Sequence, residues 1–264
     1  MKLEEVFLPK QILALEYLAN THPCEVLLYG GAAGGGKSRL GCHWQIIRRL
    51  KYAGTRGLIG RSKLDTLKKT TLNTFFEVCS DLKLMAGKHY FYNAQSNIIT
   101  FYNGSEILLK DLFSYPSDPE FDSLGSLEIT DYFIDEASQV SHKAFSVVKS
   151  RVRFRLNKYG LKPKGLLTCN PSKGWLYNEF YSPSTLGTLP DSMAFVAALP
   201  GDNDKLPETY LETLRGLPED LRKRLMDGDW NYELTIDRLF NNSDVLRCFR
   251  NEMLGEGKYI TADI

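Results

Sequence analysis

Long apolar runs are missing from this sequence. No stretch approaches the length of a membrane span, and no signal-peptide pattern opens the chain, so no membrane association is expected. Cysteine is sparse as well. Cys24, Cys42, Cys79, Cys169 and Cys248 are scattered, odd in number and never spaced C-x-x-C. That pattern argues against a disulfide framework or a zinc site and fits a reducing cytosol. The four histidines, His22, His43, His89 and His142, are equally dispersed and suit core or surface positions better than metal ligation. An excess of either charge is absent too: 33 Lys and Arg oppose 32 Asp and Glu, a net of +1. Any contact with a polyanion must therefore come from a local basic patch. Internal repeats and low-complexity segments are also lacking. What remains is an ordinary globular composition, 43% hydrophobic and 25% charged over 264 residues. That length suits one large α/β domain, or such a domain with a small appendage.

Glycine, by contrast, is concentrated in one place. The run Gly30-Gly31-Ala32-Ala33-Gly34-Gly35-Gly36-Lys37-Ser38 reads G-x-x-x-x-G-K-S from Gly31, the pattern of a phosphate-binding loop. Val26-Leu27-Leu28-Tyr29 upstream suits a buried strand, and the Pro-free stretch from Lys37 to Tyr52 suits a helix. Glycines at 31, 34, 35 and 36 let backbone N–H groups curl around anionic oxygens with no Cβ in the way. The helix amino end adds partial positive charge. Lys37 is expected to reach the β- and γ-phosphates of a triphosphate, and the Ser38 hydroxyl to ligate Mg2+.

The rest of the chain alternates strands and helices. Strands are expected at 57–60, 131–134, 165–169 and 193–199, and helices at 62–80 and 141–157. Asn103-Gly104 between two alternating runs, 97–102 and 105–110, predicts a hairpin, with both turn residues at positive φ. Strands separated by helices predict a largely parallel sheet covered on both faces, with the hairpin as an antiparallel edge. From Pro200 the character changes. Prolines punctuate short helical stretches around Glu208–Arg215 and Glu219–Met226, which predicts a small helical subdomain over the nucleotide. The expected division is a core at 1–199, a helical lid at 200–240 and a remainder at 241–264.

Three further elements carry chemistry. Tyr132-Phe133-Ile134-Asp135-Glu136 is an apolar strand ending in two carboxylates. Ligands in such sheets sit at the carboxyl ends of strands. Asp135 is expected to hold Mg2+, and Glu136 to polarise the water that attacks the γ-phosphate. Leu166-Leu167-Thr168-Cys169-Asn170-Pro171 is a strand followed by a polar turn, and Asn170 can sense the γ-phosphate there. Gln11, ahead of the first strand, offers paired donor and acceptor atoms suited to the edge of an adenine. Phosphoryl transfer also asks for positive charge beyond Lys37. Arg39 and Arg61 are candidates in cis. Arg151, Arg153 and Arg155, in the densest basic patch of the chain, could act on a neighbouring subunit, on a phosphate backbone, or only at a helix end.

With these elements in place the sequence resembles the large terminase subunit of tailed bacteriophages. Gln11, Gly36-Lys37-Ser38, Ile134-Asp135-Glu136-Ala137 and Thr168-Cys169-Asn170-Pro171 carry the likeness. So does the stretch Asp202-Asn203-Asp204-Lys205-Leu206-Pro207-Glu208-Thr209-Tyr210, which closes at Gly228-Asp229-Trp230. The resemblance implies a P-loop NTPase core of the RecA-like, additional-strand, catalytic-glutamate class with a lid. It further implies an ATP- and Mg2+-dependent motor that moves double-stranded DNA into a procapsid. The motor would be a homo-oligomeric ring, expected as a pentamer on a portal protein, with the isolated chain as a monomer. A small terminase subunit would deliver the DNA. The setting would be the host bacterial cytoplasm, transiently the portal vertex.

Family members continue into a ribonuclease-H-like nuclease, and Lys258-Tyr259-Ile260-Thr261-Ala262-Asp263-Ile264 resembles its first strand. Asp263 would be a nuclease metal ligand without its companions, so DNA cleavage by this chain is not expected. Two departures from the family pattern stand out. Ala32 and Ala33 occupy phosphate-loop positions where many members carry arginine, so a cis arginine must come from elsewhere. Between Asp111 and Ile134, where some members carry a trans-acting arginine, there is neither Arg nor Lys. Arg151 and Arg153 are the candidates for that role, with Lys110 behind them.

Overall fold

A computed structural model describes residues 6–232. The 258–264 strand with Asp263, and the part of the expected lid past residue 232, lie outside the described residues. The chain begins with α1 (Pro9–Tyr17), β1 (Val26–Gly31), α2 (Lys37–Lys51) and β2 (Arg56–Arg61). Two helices follow, α3 (Leu64–Lys69) and α4 (Thr71–Asp81), then strands β3 (Tyr90–Asn93), β4 (Ile98–Phe101) and β5 (Glu106–Asp111). The short α5 (Asp122–Gly125) leads into β6 (Asp131–Ile134), α6 (His142–Ser150), α7 (Leu156–Tyr159) and β7 (Lys164–Cys169). Last come α8 (Ser182–Leu186), β8 (Met193–Ala198), α9 (Glu208–Arg215) and α10 (Glu219–Leu225).

The strands form one eight-stranded sheet in the order β3-β4-β5-β2-β6-β7-β1-β8. From β5 to β8 every pairing is parallel, and β3 and β4 join antiparallel at one edge. The expected edge hairpin is therefore present, with β3 as an additional strand that the sequence reading missed. Strands β1, β6 and β7 are buried at every position. That is why they read as unbroken apolar runs: a parallel strand covered on both faces has no polar side to show. One face packs Leu40, Trp44 and Phe75 against Leu27 and Phe133. The other packs Phe145, Phe180 and Trp230 against Leu28, Tyr132 and Leu167. At the amino end of β6 the buried Asp131 carboxylate takes hydrogen bonds from Gln45 (2.9 Å), Arg48 (2.6 Å) and Arg49. Burial pushes that carboxyl up, but Arg49 and Arg48 outweigh it and hold it below the ordinary range. The cluster ties α2 to the sheet.

Three local expectations are corrected. The single helix expected at 62–80 is two, broken at Thr70 with φ −126° and ψ −78°. There the Thr70 hydroxyl donates to the Thr66 carbonyl (2.7 Å) and accepts from Arg61 (2.6 Å), competing with the helix ladder. The helix expected to reach 157 starts with Ser141 capping the Ala144 N–H (3.2 Å) but stops at Ser150. Beyond it the Ile129 N–H donates to the Arg151 carbonyl (3.1 Å), drawing the chain alongside the start of β6. Of the two turn residues, Asn103 and Gly104, only Gly104 has positive φ (75°). Asn103 instead donates from its side chain to the Arg49 carbonyl (2.8 Å) and accepts the Ser105 N–H (3.1 Å).

Candidate nucleotide site

The phosphate loop joins β1 to α2 and lies at the carboxyl end of the sheet. Its backbone requires glycine: φ is +80° at Gly34 and +69° at Gly36, where a Cβ would be strained. At Gly31 and Gly35 the constraint is space, because a Cβ at either would press on Ala198 of β8. The buried Lys37 ammonium folds back over the loop. It donates to the carbonyls of Gly31 (3.2 Å) and Ala32 and to Asn170 Oδ1 (2.9 Å). Burial lowers its pKa, with Glu136, Cys169 and Asp135 pulling the other way. Strand β7 carries Asn170 and lies between β1 and β6, so one strand separates the loop from the two acids.

Asp135, 2% exposed, is the centre of the constellation. Its carboxylate accepts from Ser38 Oγ (3.0 Å), Thr71 Oγ1 (2.6 Å) and Thr168 Oγ1 (2.7 Å). Arg61 stands 3.8 Å away. Glu136 follows in the left-handed conformation, φ 52° and ψ 48°, an unusual state for a non-glycine residue at the turn out of β6. Burial raises the Glu136 carboxyl above its usual range and Asp135 adds to this, while Lys37, Arg61 and Arg224 oppose it. Burial likewise pushes the Cys169 thiol up, which leaves it protonated and unreactive beside Lys37.

The structure thus brings Lys37, Ser38, Asp135, Glu136, Asn170 and Arg61 together. Other candidates lie elsewhere or hold other partners. Arg39 is paired with Asp81 at the carboxyl end of α4 on a part-exposed surface, turned from the loop it was expected to serve. Gln11 is 3% exposed and engages both ends of its amide internally. Its Oε1 accepts the Leu8 N–H (3.0 Å) and its Nε2 donates to the Gly36 carbonyl (2.9 Å), tying α1 to the loop. Arg151 donates to the Gly125 carbonyl (2.8 Å), and Arg153 pairs with Glu128 at 3.4 Å. Both flank the start of β6, on the order of 20 Å along the strand from Glu136 at about 3.3 Å per residue. Neither reaches the site of its own chain.

Sequence reasoning missed two partners of Asp135, Thr71 and Thr168. Thr71 and Thr168 could have been found as hydroxyls at the start of a helix and the end of a strand. The stretch expected over the nucleotide does touch the loop: Asn203 Nδ2 donates to the Gly34 carbonyl (2.7 Å), and the Ala33 N–H to the Leu225 carbonyl (2.8 Å). Among the described residues no three His, Cys, Asp or Glu side chains gather into a protein-only metal cage. None of the described helices is long and apolar enough to cross a membrane.

A family profile described as phage terminase large subunit matches residues 24–224. The chain belongs to that family. The large terminase of a thermophilic bacteriophage, in complex with ADP, has a TM-score of 0.67 at 14% identity, covering 85% of this chain and 54% of that one. The Thermus phage P74-26 large terminase ATPase domain gives 0.56 at 15%, covering 82% and 92%. The bacteriophage HK97 large terminase gives 0.55 at 13%, covering 84% and 46%. At such identities the likeness shows the fold alone. This terminase chain spans about half the length of the thermophilic bacteriophage protein, 53% in another crystal form. No curated protein matches it.

Proposed function

We propose that this chain hydrolyses ATP and that the hydrolysis drives double-stranded DNA into a procapsid. One observation carries the reading. Ser38 Oγ and the Asp135 carboxylate, 97 residues apart in sequence, are 3.0 Å apart at the mouth of the phosphate loop. A hydroxyl and a carboxylate are hard oxygen donors suited to Mg2+, and these two residues would hold it. When bound there, Mg2+ supplies positive charge to the β- and γ-phosphates. Thr71 and Thr168 fix the Asp135 carboxylate by hydrogen bonds, so it keeps its orientation as Ser38 turns to a ligand.

Lys37 would exchange loop carbonyls for phosphate oxygens, since an ammonium buried so deeply is better satisfied by anionic partners. Glu136 orients and polarises the attacking water; burial raises its carboxyl above its usual range, which suits a base. Asn170, bonded to Lys37, senses the loss of the γ-phosphate and passes it to Pro171 and the segment beyond. Gln11 fixes the loop through Gly36 and has one amide hydrogen and one lone pair left for an adenine edge. The neighbours that bind ADP and an ATP analogue share the fold and support the nucleotide class.

The family implies the assembly: a homo-oligomeric ring, expected as a pentamer, docked on a portal protein and fed by a small terminase subunit in the host cytoplasm. Single-turnover ATP hydrolysis with Mg2+ tests the core of the proposal. Glu136→Gln should slow turnover by at least about 100-fold, the scale of a lost general base. Its ADP affinity and melting temperature should match the parent. Equal turnover in a folded Glu136→Gln chain would refute the assignment.

A further inference from the structure

No arginine stands inside the phosphate loop, where Ala32 and Ala33 fill the variable positions. Yet charge developing on a transferring phosphoryl group calls for a cation besides the loop lysine. Of the sequence candidates in cis, Arg39 is turned to Asp81, and Arg61 is occupied by Thr70 and Asp135. The lid supplies another. Arg224 on α10 donates Nε–H to the Pro171 carbonyl (3.1 Å), one residue past Asn170. The next residue, Leu225, accepts the Ala33 N–H of the loop (2.8 Å).

Lys37, Asn170, Pro171, Arg224, Leu225 and Ala33 therefore close a ring of contacts around the loop mouth, through side chain and backbone in turn. On the same helix Lys223 is paired with Glu219 at 2.7 Å, whereas Arg224 reaches the Pro171 carbonyl. Its guanidinium lies against the Tyr232 ring, 5.6 Å from the centroid, which limits its swing. Of its five N–H donors only Nε–H meets a protein acceptor among the described residues. Four remain, in the planar fork that fits phosphate oxygens. Its contact with the Pro171 carbonyl sets it one residue from Asn170, which bonds Lys37.

We propose that Arg224 is the cis arginine of this site, presenting its fork to the γ-phosphate of a bound triphosphate and so reporting the nucleotide state to the lid through the Asn170–Pro171 turn. This rests on the nucleotide reading above and adds a residue to it. While the γ-phosphate is present, α10 is held on both the loop and the turn. Once it leaves, Arg224 loses its anionic partner and keeps only the Pro171 carbonyl.

The test compares equilibrium affinity for ATPγS and ADP, with Mg2+, in the full chain and in Arg224→Ala and Arg224→Lys. The parent should favour ATPγS. Arg224→Ala should lower that preference about tenfold or more, the scale of a charge-assisted hydrogen bond, with ADP affinity kept within about twofold. Arg224→Lys keeps stem and charge but not the fork, so it should fall between, and it serves if the alanine variant fails to fold. An unchanged ATPγS-to-ADP ratio in the folded variants overturns the proposal. So does a parallel fall in both affinities together with melting temperature, since that marks Arg224 as only a strut. A parent that binds both nucleotides alike overturns this proposal alone; a parent that binds neither overturns the nucleotide reading as well.

Discussion

Three hydroxyls hold Asp135, and they come from α2, α4 and β7. A carboxylate so buried needs such donors, because charge taken from water is costly unless hydrogen-bonded. Only the role of Ser38 was readable in advance, since its neighbours Gly36 and Lys37 name it; Thr168 lies in the Asn170 motif, where only Asn170 was given a role, and Thr71 lies in none. His43 shows the opposite case. It is 2% exposed and neither ring nitrogen has a partner. Burial, with help from Arg39, lowers its pKa to about 4. The folded state therefore refuses a proton that the unfolded chain accepts below about 6.5. Stability should thus rise with pH across that window and be lost on acidification, at up to about 1.4 kcal/mol per pH unit. Urea unfolding at pH 7 and pH 5 should show a loss of about 2 kcal/mol in the parent that His43→Leu lacks.

At the element scale, one tight contact is at Gly41 of α2, which lies on the Phe133 ring of β6. That contact sets the height of the phosphate-loop helix above the strand that ends in the two acids. Gly41→Ala would gain about 1 kcal/mol of helix propensity. The added Cβ would overlap the ring, and overpacking of this kind costs about 1–3 kcal/mol. The ring cannot move aside in a fully buried strand, so the clash should win. Denaturant unfolding should show net destabilisation, and ATPγS binding should weaken as Ser38 and Asp135 are pushed apart. The break at Thr70 belongs to the same scale. Apolar positions recur on both sides of Lys68-Lys69-Thr70-Thr71, and nothing in them signals that a second helix must start at Thr71 to bring that hydroxyl to Asp135. Core burial dictated the pattern on both sides of the break, while the site dictated the break.

At the scale of the whole molecule, Arg151 and Arg153 stand at the amino edge of the sheet, opposite the loop. If either completes a site, it is that of a neighbouring subunit. ATP turnover per chain should then climb with protein concentration as rings form. Arg153→Ala and Glu136→Gln chains, each inactive alone, should regain part of the turnover when mixed, because each supplies what the other lacks. Arginine fingers contribute on the order of 1,000-fold or more, so recovery should be plain in a steady-state assay. Absence of recovery would direct the search to other basic residues.

Local patterns in the sequence marked the loop, the acid strand, the parallel strands and the family resemblance. These rest on local chemistry: glycines where φ must be positive, unbroken apolar runs where both faces are covered, and acids where a strand ends. Which hydroxyls hold Asp135, that Gln11 engages the loop backbone, that Arg39 turns to Asp81, and that α10 brings Arg224 to Pro171 came only from the packed fold. Those contacts join residues from 25 to 97 positions apart. At such separations the partner is set by how the sheet stacks its strands, and no pattern within a short window of sequence encodes it.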